Sequence, residues 1–189
     1  MDFRDLLKTR RAVRVFQDKE VSELLIREII ADICEAPSGA NMQPWSFIII
    51  MNKDVMKRIS DESKKNILDI IEECPSSFFM RYKAVLEHED FNVFYDAPCV
   101  IYITGQKDCI SLDVDCTLAA SYFMLSEANH GLGTCWIELG SVIKDHNDLR
   151  KEIGLPDDYR IVSTLILGYP KIIPPRPPRK EPFILKVVY

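Results

Sequence analysis

The feature that most constrains the fold of this chain is a set of apolar runs, each about as long as one β-strand. The clearest runs occupy residues 46–51, 97–104, 134–139 and 160–168. In the first run, apolar residues do not alternate with polar ones, which favours a strand covered on both faces. Elsewhere apolar residues recur at helical spacing, as at Leu25, Ile26, Ile29, Ile30 and Ile33. We therefore expect a sheet with helices packed against it.

The helical segments have recognisable ends. Helices are predicted at 2–9, 53–73, 112–130 and 145–153. A further helix is predicted to begin after an N-cap at Ser22 and to stop before Pro37. Gly131 and Gly154 directly follow the helices predicted at 112–130 and 145–153, at the position where a residue in the left-handed conformation often ends a helix. Six prolines between 170 and 182 predict an extended tail, which ends in a strand-like segment at 184–189. At 189 residues the chain has the length of one domain, 1–189.

Charge and composition exclude several classes of protein. The net charge is -5, but residues 1–16 carry a net +3 and 171–189 a net +4, which leaves -12 in the middle. This acidic middle disfavours a nucleic-acid partner. No apolar leader or membrane-length run is present, and six cysteines form no CxxC pair, so we expect a cytoplasmic protein with reduced thiols. Three scattered histidines predict no metal site.

The densest polar motif is RRAVRVF, at 10–16. In a strand, Arg10, Ala12 and Arg14 would share one face, with Arg11 on the other. Guanidinium groups suit a phosphate because their planar fork donates two parallel hydrogen bonds. A solvated basic strand paired with surface carboxylates, or an acidic protein partner, would use the same residues.

Two further segments could contact a flat ligand. The loop PSGANMQPW, at 37–45, offers Ser38, Asn41 and Gln43 as donors and acceptors for a heterocycle's imide edge, although a simple turn that caps its own backbone would also use them. In GLGTCWIELG, at 131–140, a helix end runs into a strand whose glycines permit close approach of a ligand. Cys135 has no evident base or low-pKa setting, so core packing is expected for it.

These motifs, in this order, resemble those of the FMN-dependent nitroreductase family. They stand as RRAVRVF from Arg10, APSGANMQPW from Ala36, DAPCVIYI from Asp96, GLGTCWIEL from Gly131 and LGYP from Leu167, and they span almost the whole chain. The resemblance implies an α+β fold with a central mixed sheet flanked by helices. It also implies an intertwined homodimer with tightly bound, non-covalent FMN at two interface sites, each lined by both subunits.

The resemblance also implies which residues bind the flavin. Arg10, Arg11 and Arg14 look like the contacts to its phosphate and pyrimidine edge, and Ala12 replaces the family's usual serine, so that only a backbone contact remains. Four further residues look like those that the partner subunit contributes to each flavin site: Pro37, Ser38, Gly39 and Asn41. In the family, a backbone segment with an N–H that can reach N5 forms the wall beside the flavin ring. The segment that resembles this wall here consists of Trp136, Ile137, Glu138 and Leu139. A basic residue of the extended tail at 170–189, either Arg176 or Arg179, would return to the phosphate.

The activity implied is hydride transfer from NADH or NADPH through flavin N5 to an electron-poor nitroaromatic or quinone, with ping-pong kinetics and no obligatory catalytic side chain. An FMN-binding sensor or store, or another flavin reaction such as reductive dehalogenation, would share these motifs. The aromatic segment at 75–95 would form either a substrate lid or a dimer arm. Glu138 replaces the family's more common glycine, and we predict that its carboxylate points away from the ring.

Overall fold

The computed structural model describes residues 2–143 and 147–189. Its helices are α1 (Phe3–Thr9), α2 (Glu23–Ile33), α3 (Lys53–Glu73), α4 (Lys83–Leu86), α5 (Leu112–Asn129) and α6 (Asn147–Glu152). Its strands are β1 (Ser46–Ile50), β2 (Cys99–Gln106), β3 (Gly133–Trp136) and β4 (Tyr159–Gly168). Short 3₁₀ helices lie at Gly39–Asn41, Phe78–Tyr82 and Glu138–Ser141.

The four strands form one sheet in the order β1-β2-β4-β3, so β1 and β3 are its edges. Each neighbouring pair is antiparallel. A single parallel bridge joins Ala12 to Thr134 on β3. The parallel pairing of the expected mixed sheet is therefore confined, among the described residues, to this bridge.

Strand β2 is buried on both faces from Cys99 to Gly105. The run at 46–51, for which cover on both faces was predicted, is less enclosed, because β1 is an edge strand and its residues Ser46 to Ile49 are only half-buried. Ile101 and Ile103 of β2 pack on one side with α2 and α5. Val100 and Tyr102, which alternate with them, pack on the other side with α3. Because successive side chains of a strand point to opposite faces, one strand supplies both halves of the core.

The helix ends follow the signals in the sequence. The Ser22 hydroxyl accepts a hydrogen bond from the Leu25 N–H at 3.3 Å and caps α2. Gly131 and Gly154 have φ of 71° and 73°, as expected for residues that end helices. The start predicted for the helix at 145 lies outside the described residues. No described helix is long and apolar enough to cross a membrane.

Two strand predictions were wrong. The strand expected at 134–139 ends at Trp136, because the chain turns into the 3₁₀ helix that begins at Glu138. The segment at 184–189 forms no strand in the single protomer, where it pairs with none of the four strands of the described residues.

Candidate functional site

The arginine motif and the GLGTCW motif lie side by side. The Val13 N–H donates to the Thr134 carbonyl at 2.9 Å, next to the bridge between Ala12 and Thr134. Gly133 permits this approach, since a Cβ at that position would stand 2.7 Å from the Val13 Cγ2. Two segments that are about 120 residues apart in the chain thus form one surface.

A first cavity, which we call the arginine cleft, has a volume of about 180 Å³. It is lined by Arg10, Arg11, Glu127, the three residues of the Gly131–Gly133 turn and the start of the tail at Pro170 and Ile173. The Arg11 Nη1 donates to the carbonyls of Lys8 at 2.6 Å and Arg10 at 2.8 Å. Its Nε is buried without a hydrogen-bond partner.

Glu127 adds a buried carboxyl to the arginine cleft. It is 1% exposed, and its Oε2 has no hydrogen-bond partner. Burial raises the pKa of this carboxyl to about 9, and the charge of Arg10 opposes the shift without cancelling it. The cleft therefore holds two guanidinium groups beside an uncharged acid at neutral pH.

A second cavity, which we call the aromatic cleft, has a volume of about 490 Å³. It is lined by Arg14, Phe78, Phe79, Tyr82, Tyr95 and the four residues Trp136, Ile137, Glu138 and Leu139. The guanidinium carbon of Arg14 lies 5.6 Å from the centre of the Tyr95 ring, within reach of a cation–π contact. This cleft joins the third arginine of the first motif, the aromatic segment and the strand end of the third motif.

Helix α3 holds the segment that carries Tyr95. The Lys64 ammonium donates to three carbonyls, of His88 at 2.7 Å, Glu89 at 3.2 Å and Phe91 at 3.0 Å. The Ser60 hydroxyl accepts from the Val93 N–H at 2.9 Å. Tyr95 itself has φ of 54°, a left-handed conformation that costs a non-glycine residue energy and that the surrounding contacts must maintain.

The wall of the aromatic cleft is fixed by the sheet. The Ile137 N–H donates to the Thr164 carbonyl at 2.8 Å, and the Tyr102 hydroxyl donates to the Gly140 carbonyl at 2.9 Å. Glu138 and Leu139 open a 3₁₀ helix, so their N–H groups have no acceptor within that helix. Cys135 is buried in the core, and burial raises the pKa of its thiol although Arg14 and Arg10 act in the opposite direction.

The loop predicted to contact a ligand lies apart from both clefts. Pro37, Gly39 and Asn41 are exposed and Ser38 is half-buried, and none of them lines either cleft. The Gly39 N–H donates to the Asp115 carboxylate of α5 at 3.0 Å. In the tail, Arg176 and Arg179 are exposed and also lie outside both clefts.

The arrangement of the arginines differs from that of a strand. Arg10 is the C-cap residue of α1, and only Ala12 and Phe16 of the motif form bridges. Arg10 and Arg11 therefore line the same cleft, and Arg14 lines the other. Asp115 and Glu127 were not predicted from the sequence as functional residues. For Glu127 a signal was available, because it is a lone acidic residue within the apolar stretch of α5.

The sequence is similar to those of known proteins. Residues 7–169 match the model of the nitroreductase family. The chain is 36% identical to iodotyrosine deiodinase 1 of Homo sapiens, over 89% of this chain and 61% of that protein. It is 26% identical to nitrobenzene nitroreductase of Ectopseudomonas oleovorans, over 87% of this chain and 85% of that protein.

The fold has a close counterpart among solved structures. The structure of a nitroreductase with bound FMN from Bacteroides fragilis superposes with a TM-score of 0.83 at 20% identity, covering 99% of this chain and all of that one. This likeness confirms the α+β nitroreductase-like fold. Since the family match covers residues 7–169, which include the arginine motif and the GLGTCW motif, the chain belongs to the nitroreductase family.

Proposed function

We propose that the protein is an FMN-dependent oxidoreductase that passes a hydride from NADH or NADPH to an electron-poor acceptor such as a nitroaromatic or a quinone. The observation that carries this proposal is the aromatic cleft, where Arg14, four aromatic residues of the segment at 75–95 and the residues 136–139 surround one space. Such a cleft suits a flat, electron-poor ring, because aromatic side chains stack on it and a cation stabilises negative charge at its edge.

The residues present fit FMN. Arg10 and Arg11 line one cleft, and the buried Arg11 Nε lacks a partner that a phosphate or ribityl oxygen would supply. The bridge at Ala12 joins this cleft to the wall of the aromatic cleft, so one short segment serves both ends of a long ligand. A flavin phosphate beside the arginines and its ring beside the aromatic residues would satisfy both clefts together.

Bound FMN would supply the two-electron chemistry, and the side chains would position it. Arg14, steadied by the Tyr95 ring, would stabilise the negative charge that reduction places at the pyrimidine edge. The N–H groups of Glu138 or Leu139 would hydrogen-bond to N5. No side chain is required as an obligatory acid, because the flavin itself would carry the hydride. Because the nicotinamide donor and the acceptor would bind in turn over the same face of the flavin, we expect ping-pong kinetics.

The functional unit in this proposal is a homodimer. Exposed apolar side chains lie on α1 at Phe3 and Leu7 and on α5 at Val114, with exposures of 64%, 54% and 64%. Apolar side chains of the tail at 183–189 are also exposed. Edge strand β1 leaves one row of backbone groups open to a strand from another chain. A second copy would cover these surfaces.

The dimer also accounts for the residues outside the clefts. Pro37, Ser38, Gly39 and Asn41 would complete the flavin site of the partner subunit. The tail would cross the dimer, so that Arg176 or Arg179 reaches a phosphate. Whether the aromatic segment serves as a lid or as a dimer arm, its Phe78, Phe79, Tyr82 and Tyr95 border the proposed site.

Reductive dehalogenation is a second candidate reaction, favoured by the 36% identity to iodotyrosine deiodinase 1. An FMN-binding sensor or store is a third reading. Anaerobic reduction separates them: NADH or NADPH should bleach the bound flavin, and nitrobenzene, a quinone or 3-iodotyrosine should then restore its colour. The acceptor that restores colour fastest identifies the reaction. Bound FMN that neither nicotinamide bleaches would contradict the proposed oxidoreductase and favour the sensor or store.

A further inference from the structure

The loop at 38–41 is attached to helix α5 by one buried carboxylate. Asp115 is 2% exposed. One of its oxygens, Oδ1, accepts from the Gly39 N–H at 3.0 Å, and the other, Oδ2, accepts from the Ser111 hydroxyl at 2.7 Å. Gly39 packs closely enough that a Cβ there would lie 3.5 Å from the Ser111 side chain. Both oxygens of the carboxylate are thus engaged, one by its own helix and one by the loop.

The loop needs such an attachment, because its backbone is held in an unfavourable conformation. Ala40, Asn41 and Gln43 have φ of 49°, 56° and 47°. Left-handed residues other than glycine persist only where surrounding contacts determine them. Within the loop, the Ser38 hydroxyl accepts from the Gln43 backbone N–H at 3.0 Å, and the side-chain Oδ1 of Asn41 accepts from the side-chain Nε2 of Gln43 at 3.0 Å.

The attachment is also specific. Among the hydrogen bonds between described residues, the bond from Gly39 to Asp115 is the one that joins the strained loop to another helix. A carboxylate accepts a stronger hydrogen bond from a backbone N–H than a neutral group does. Burial of a charged side chain is costly unless it is hydrogen-bonded, so an aspartate at this position has a structural task.

The geometry points to Asp115 as a positioning residue that fixes the loop at 38–41 in the conformation needed to complete the flavin site of the partner subunit. This inference rests on the proposed function. It assigns Asp115 no contact with the flavin. Its effect is exerted through Gly39 and, beyond it, through the donors and acceptors of Ser38 and Asn41. The helix of one subunit would therefore control a site whose arginines belong to the other.

The first test is FMN binding by the flavin-free dimer, measured by quenching of FMN fluorescence. Asp115→Ala should weaken FMN binding by about tenfold to a hundredfold, the loss expected for one hydrogen bond to a charged group. Asp115→Asn keeps an oxygen for Gly39 and should recover most of that loss. Asp113→Asn, on the same helix but paired with Arg160 at 2.6 Å, is the matched control and should bind FMN like the wild type.

The second test asks in which subunit Asp115 acts. A mixed dimer of one Asp115→Ala subunit and one Arg10→Ala subunit is purified with two different tags. If the loop serves the partner, one site of the mixed dimer combines an intact Arg10 with an intact loop and binds one FMN with wild-type affinity, whereas each parent homodimer has no such site. If the loop serves its own subunit, the mixed dimer has no tight site, and the inference is overturned.

The outcomes separate this inference from the proposed function. Wild-type protein that binds no FMN contradicts the proposed function itself. If Asp115→Ala binds FMN as tightly as the wild type does, the positioning role alone is contradicted. Urea unfolding of each variant shows whether it is folded. If Asp115→Ala is not, the mixed dimer is made with Gly39→Pro in its place, which removes the N–H donated to Asp115 and leaves α5 unchanged. A missing tight site in that mixed dimer again overturns the inference.

Discussion

Glu127 should make the stability of the protein depend on pH. Its carboxyl is 1% exposed, its Oε2 is unpartnered, and its pKa is about 9 against an ordinary value of 4.5. The folded protein therefore keeps a proton on Glu127 at pH values where the unfolded chain has released it. The stabilisation from this proton is complete below pH 4.5, declines as the pH rises and is lost by pH 9.

The size of the effect follows from linkage. Each pH unit between the two pKa values changes the free energy of unfolding by about 1.4 kcal/mol, so the change between pH 5 and pH 8 is about 4 kcal/mol. This is a large part of the roughly 5–15 kcal/mol that stabilises a typical domain. Glu127→Gln has the shape of the protonated acid and no charge to lose, so its stability should lack this component.

The assay is urea unfolding of the wild type and Glu127→Gln at pH 5, 6, 7 and 8, at one protein concentration. The free energy of unfolding of the wild type minus that of the variant should fall by about 4 kcal/mol across this range. Glu23→Gln, an exposed carboxyl paired with Arg27, controls for the change in net charge. A difference that stays constant with pH would refute the reasoning, because it would show that folding does not raise the pKa of Glu127.

Four other changes test the site and the fold. Arg10→Ala should weaken FMN binding several-fold or more, since a hydrogen bond to a charged group contributes about 1.5–3 kcal/mol; equal affinity would remove Arg10 from the site. Tyr102→Phe leaves the Gly140 carbonyl without its donor and should lower the free energy of unfolding by about 1–3 kcal/mol, measured in urea. Removal of 183–189 should shift the sedimentation of the protein towards a monomer, and an unchanged dimer would show that the tail is not needed. Glu138→Gln should leave the flavin potential unchanged, whereas a marked rise would show that the carboxylate faces the ring.

Local signals predicted most of the fold. The cap at Ser22, the glycine at Gly131 and the apolar runs of the strands depend on neighbouring residues, so they can be read from the chain. The segment at 184–189 could not be assigned in this way, because a strand forms only where another strand accepts its hydrogen bonds.

The site was predictable in its parts and not in their arrangement. The separation of Arg14 from Arg10 and Arg11 depends on where α1 ends, since Arg11 turns back to bind the last carbonyls there. The bond between Gly39 and Asp115 joins residues 76 positions apart, and no local pattern marks it.

The central claim is that the arginine cleft and the aromatic cleft together form an FMN site. Equilibrium titration of the flavin-free protein with FMN, and separately with riboflavin, tests it most directly. We predict one FMN bound per subunit, and much weaker binding of riboflavin because it lacks the phosphate that Arg10 and Arg11 would hold. Absence of FMN binding, or equal affinity for the two flavins, would contradict the claim.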